Sequence, residues 1–71
     1  MTEITQPYRQ VQRKWGSRWR NTEMKALKKG MIFRLFEPDG TPVVYNEKTE
    51  FLVVEDPNFN NGVWGCESEP V

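Results

Sequence analysis

The chain has no histidine and a single cysteine, Cys66, among its 71 residues. The first shortage removes the commonest general base and the imidazole that would activate a thiol nucleophile. The two together leave a structural zinc site short of ligands and rule out an internal disulfide. No apolar run approaches the roughly 18 residues of a membrane span. The opening Met1-Thr2-Glu3 lacks the basic-then-apolar order of a signal peptide, so the expected location is the cytoplasm. Gly30, Gly40, Gly62 and Gly65 match no phosphate-cradling spacing. The carboxylate pair Glu55-Asp56 would point to opposite faces of a strand, which is the behaviour of solvated surface. The expectation is a protein that is not an enzyme, with no cofactor and no metal site.

What is there fits one small domain. A chain of this length buries only about 60% of its unfolded surface, too little for a deep catalytic cleft. Its composition, 37% hydrophobic and 28% charged, is ordinary for a soluble globular protein. The formal net charge is zero, yet the charges are sorted. Residues 1–36 hold nine basic and two acidic residues, a net +7, whereas residues 37–71 hold Lys48 against eight acids, a net −7. Such a chain can steer toward a charged partner or pair with a second copy of itself. Neutralisation of one half by the other within the monomer is the plain alternative.

Taken in order, Thr5-Gln6-Pro7 has the chemistry of a helix start. Tyr8, Val11, Trp15 and Trp19 follow at i, i+3, i+7 and i+11, one stripe of a helical cylinder, with Arg9, Arg13 and Arg20 on another side. The expected element is a basic amphipathic helix over 7–15, continuing over 16–20 unless Gly16-Ser17 breaks it. Asn21 or Thr22 would cap a second short helix ending at Gly30, unless the stretch is a tight turn feeding a strand. Residues 1–23 are thus expected to form a basic aromatic arm, 24–67 a small β domain, and 68–71 a frayed tail.

From Met31 onward the period becomes strand-like. Met31 to Phe36, Val43-Val44-Tyr45, Phe51 to Val54 and Val63 to Cys66 are separated by turn chemistry at Pro38-Asp39-Gly40, Asn46 to Thr49 and Asn61-Gly62. The expected class is β-rich α+β: an antiparallel meander of about four strands, SH3-like or barrel-like, with an N-terminal helical segment. Both faces of the first and third runs are apolar, so the second face must be covered by barrel closure, by the N-terminal segment or by another subunit. Leu27, Ile32, Phe33, Leu35, Val43, Tyr45, Leu52, Val54 and Trp64 are the expected core.

Leu27-Lys28-Lys29-Gly30 through Gly40, with Asp56-Pro57 and Val63-Trp64-Gly65, resembles small accessory proteins of tailed bacteriophages and prophages. The resemblance covers residues 24–67 and carries over no functional residues. The lead-in Leu27 to Phe33 is similar to the first strand of SH3-like barrels, a fold that hosts many functions. The phage resemblance implies action by binding, on a host or phage partner. Tyr8, Arg9, Arg13, Trp15, Arg18, Trp19 and Arg20 are the expected partner-binding residues. Trp, Tyr and Arg suit a protein interface, the first expectation. Arg with stacking aromatics suits a nucleic acid, the second, which the acidic half would oppose. Packing of Trp15 and Trp19 onto the sheet is the competing account. A homodimer is the remaining partner to consider, and a membrane is not expected.

Overall fold

The computed structural model describes residues 2–5 and 9–71, the first four by backbone path alone. Among the described residues seven strands form one antiparallel sheet: β1 Thr2–Thr5, β2 Gln10–Trp15, β3 Arg18–Thr22, β4 Ile32–Phe36, β5 Phe51–Val53, β6 Asn58–Asn60 and β7 Val63–Pro70. Their order is β1-β7-β5-β4-β2-β3, with β6 also on β7. Gly65 pairs with Thr5 of β1 and with Asn58 of β6. A strand has two edges, so β6 lies on the same edge of β7 as β5, beyond the kink at Val54–Pro57. Among the described residues, helix is confined to one 3₁₀ turn, Met24–Ala26.

The antiparallel, β-rich class is as the strand periodicity predicts, but several expectations give way. The helix expected over 7–15 and 16–20 is, from Gln10 on, a β-hairpin, β2 and β3; Pro7 and Tyr8 lie outside the described residues. Trp15 pairs with Arg18 across Gly16-Ser17. Of these two turn residues only Gly16 takes a positive φ, 62°, which is the two-residue turn that suits the twist of a hairpin. About four strands become seven: this hairpin, β1 and β6 join the sheet, while Val43-Val44-Tyr45 forms no strand and the stretch around it makes only isolated bridges, Phe36 with Pro42 and Tyr45 with Lys48. The barrel-like alternative gives way to an open sheet ending in β1 and β3. The stretch expected to fray is also ordered, Ser68–Pro70 pairing with β5.

The Asn61-Gly62 turn forms as its chemistry predicts. Both residues have positive φ, 54° and 79°, and Phe59 on β6 meets Trp64 on β7 edge to face at 5.6 Å.

One face of the sheet holds the core. Val11, Phe33, Leu35, Phe51, Val53 and Cys66 are buried there, and the register sets Val11 beside Leu35 and Phe33 beside Phe51. β3 and β4 both run antiparallel to β2 from opposite sides, so the chain between them must cross over the sheet. That crossover contributes buried Met24 and Leu27 to the same cluster. It is pinned at its far end, where the Lys29 amide donates to Asp56 Oδ1 at 2.8 Å and the Gly30 amide to the Val53 carbonyl at 2.9 Å. Met31, Val43 and Trp64 pack at the margin.

Of the expected core, Leu27, Phe33 and Leu35 are buried, and Val43 and Trp64 partly so. Ile32, Leu52 and Val54 are only half-buried, and Tyr45 is exposed. Ile32 pairs with Leu52 on the outer face, which carries polar groups as well as apolar ones.

Candidate functional site: the β2–β3 hairpin

β4 pairs with β2 only as far as Arg13. Lys14, Trp15, Gly16, Ser17, Arg18 and Trp19 therefore run on as a two-stranded ribbon beyond the β4 ladder. From Arg13 to Arg20 the ribbon holds four cations and no carboxylate. Alternation and register sort its side chains. Arg13 pairs with Arg20 and Trp15 with Arg18, all on the core-side face. Lys14 pairs with Trp19 on the outer face.

The outer face is tied together. Arg34 donates from Nε to Gln12 Oε1 at 2.8 Å, and its guanidinium lies 4.2 Å from the Trp19 ring centroid and 5.3 Å from that of Phe36. Gln12 and Gln10 both donate to Asn21 Oδ1, at 3.1 and 2.7 Å. This network joins β3, β2 and β4 and makes half-buried Trp19 a structural anchor, its indole covered by Arg34. A shallow groove of about 550 Å³ lies near the base of the hairpin, lined by Gln10, Gln12, Phe36, Glu37, Pro38 and Gly40. It carries no cation and one carboxylate.

The core-side face of the tip is different. Trp15 keeps 50% of its surface exposed, with the guanidiniums of Arg13 and Arg20 4.5 and 5.2 Å from its ring centroid. Arg13 Nε is buried with no hydrogen-bond acceptor. Among the described residues, no ion pair involves Arg13, Lys14, Arg18, Arg20 or Arg34. Arg9 is placed apart, at the foot of β2, where its Nε donates to Glu37 Oε1 at 3.0 Å. Of the residues expected to bind a partner, Arg13, Trp15, Arg18 and Arg20 are thus brought together. Trp19 is close to them but turned to the other face, Arg9 is engaged elsewhere, and Tyr8 lies outside the described residues. The sequence reading missed Lys14 and Arg34; strand alternation around Gly16-Ser17 could have placed Lys14, whereas Arg34 arrives from β4 by register.

Of the acidic residues, Glu67 and Glu69 lie on β7 and Glu55 and Asp56 at the kink, whereas Glu23 follows β3 and Glu37, bonded to Arg9, follows β4. From β3 to β7 is four strand steps, roughly 19 Å along the sheet at the usual spacing. That exceeds the screening length of about 8 Å at physiological salt. The acids of β7 are therefore separated in space from β3.

Cys66 sits in the core with its thiol directed at the Glu55 carbonyl oxygen, 3.5 Å away. Burial raises its pKa above the ordinary 9.0; the Ser68 hydroxyl lowers it in part, and the charges of Asp56 and Glu67 raise it further. A raised folded-state pKa gives stability that is whole below the unfolded value and lost as pH rises through the folded one. The expected result is a thermal midpoint that falls above about pH 9, with part of that fall absent in Cys66→Ala. At neutral pH the thiol should react with a disulfide reagent only as fast as the fold opens. Rapid native-state labelling would show that Cys66 is accessible and this account of it wrong.

No helix among the described residues is long and apolar enough to cross a membrane, and no group of three or more acidic or cysteine side chains is placed to hold a metal ion there. Comparison with known proteins gives no match: no family model, no curated protein and no solved structure is similar to this chain.

Proposed function

We propose that this chain is a non-enzymatic binding module that docks a negatively charged macromolecule on the tip of the β2–β3 hairpin. The observation that carries the reading is the acid-free run Arg13–Arg20, whose four cations lie at or beyond the last rung of the β4 ladder without ion-pair partners. Arginine and lysine held in this way meet an anion without first breaking an internal pair, and their field is concentrated at one end of the molecule. The distance of the β7 acids from the hairpin weakens the objection that they would repel such a partner. Exposed Trp15 amid arginines also has the composition of a protein-interface hot spot, which favours an acidic protein surface as a second reading. The phage resemblance would make either partner a target to be modulated.

The reading is tested on a phosphate-bearing ion-exchange matrix near neutral pH. Despite its zero net charge, the parent protein should be retained and should elute with salt. Replacing Arg13, Arg18 and Arg20 with Gln keeps the aliphatic stems and should abolish retention. Replacing Lys25, Lys28 and Lys29 with Gln changes net charge equally and should leave most of it. Equal loss in both variants would make retention a matter of overall charge and remove the hairpin as a site.

A further inference from the structure

We infer that the ligand of the hairpin is a single-stranded nucleic acid, with an unpaired base stacked on Trp15 and the flanking phosphates held by Arg13, Arg18 and Arg20. The inference rests on the binding reading above and names its ligand. Trp15 leaves half of a large aromatic surface in water, at a tip where β4 no longer flanks the ribbon. Two guanidiniums lie within cation–π range of the ring, and Arg18 stands directly across the ladder from it. The tip thus presents an aromatic ring and several unpaired cations on one face of two adjacent strands.

A nucleotide supplies both complements at once, a flat base for the indole and anionic oxygens for the arginines. The alternatives supply one each. A duplex offers phosphates, but its bases are stacked on one another and meet the ribbon only at their edges. An acidic peptide offers carboxylates and leaves the indole without a flat partner. The Nε of Arg13 points the same way. It is buried with no acceptor in the protein, so that guanidinium forgoes one hydrogen bond, and a phosphate at its outer nitrogens would offset the loss. Every base has a π face, so the contact should tolerate any sequence. Trp19 takes no part in stacking, because it lies on the opposite face and is half-buried under Arg34.

The test measures binding of the full chain to labelled oligothymidylate, to a mixed-sequence duplex of equal length and to a polyglutamate peptide, by anisotropy and tryptophan emission. Oligothymidylate should bind tightest and quench emission. Trp15→Ala should weaken it by roughly 5- to 150-fold, the range of one base–aromatic stack, with Trp15→Phe retaining part of the binding. Three contacting cations, Arg13, Arg18 and Arg20, give a log–log salt slope of about −2 for a single strand. Thermal unfolding of both Trp15 variants should match the parent, since the side chain lies outside the core. Duplex bound as tightly as the single strand, with no loss in Trp15→Ala, would overturn the stacking inference and leave the binding reading standing. Tighter binding to polyglutamate would replace nucleic acid with an acidic protein. Binding to none of the three would defeat both.

Discussion

Phe33→Ala should cost roughly 3 to 5 kcal/mol and leave little of the native state at moderate urea. The side chain is fully buried, its ring centroid 5.6 Å from that of Phe51, and its neighbours belong to several strands. β4 carries it in the middle of the sheet, so the backbone cannot collapse into the void without disturbing β2 and β5. Domains of this size hold about 5 to 15 kcal/mol in total, and small ones sit at the lower end. Ile32→Ala, one residue away on the outer face and half-buried, should cost roughly half as much. Urea denaturation of the pair measures which face is the core. If Ile32→Ala proved the costlier change, the assignment of the two faces would be inverted.

That assignment is the point at which the sequence was least decisive. In β4 Phe33 and Leu35 are buried as expected, whereas Ile32, also expected in the core, is not. In β5 the buried residues are Phe51 and Val53 rather than Leu52 and Val54, a displacement of one residue, which moves every side chain to the other face. Phe51-Leu52-Val53-Val54 is apolar throughout and so carries no alternation of its own. The face is set by pairing, Phe33 against Phe51, a contact between residues far apart in the chain.

The hairpin shows the opposite case, a local signal assigned to the wrong period. Val11, Trp15 and Trp19 fit a helical stripe if the polar residues between them are ignored. Gln10 to Trp15 also alternates, with Val11, Arg13 and Trp15 on one side, once the aliphatic stem of arginine is counted as partly apolar. Gly16-Ser17 then separates two strand-length runs by two residues, a hairpin signal as direct as Asn61-Gly62. The composition of the candidate site was legible even so. Arg13, Trp15, Arg18 and Arg20 are close in sequence and stay close on either scaffold. Which tryptophan is open and which is covered was not legible, because that depends on Arg34, brought from β4 by the register of Gln12.

The crossover between β3 and β4 carries the second large expected effect. Leu27→Ala should cost roughly 2 to 5 kcal/mol, although Leu27 lies outside every strand and just beyond a single 3₁₀ turn. An open sheet cannot bury both of its faces by itself, and here the connection from Thr22 to Ile32 places Met24 and Leu27 in the core cluster with Phe33, Phe51 and Val53. Both side chains are fully buried. The connection cannot readily settle into the space left by a truncated side chain, because the hydrogen bonds from Lys29 to Asp56 and from Gly30 to Val53 fix its far end. Lys28→Ala, at the adjacent exposed position, should shift stability by no more than about 0.5 kcal/mol. Urea midpoints of the two variants test this directly, and the unfolding slope should stay constant if only the native packing has changed. A Leu27→Ala protein as stable as Lys28→Ala would mean that the crossover lies on the sheet without supporting it, and the core would then have to be held by the strands alone.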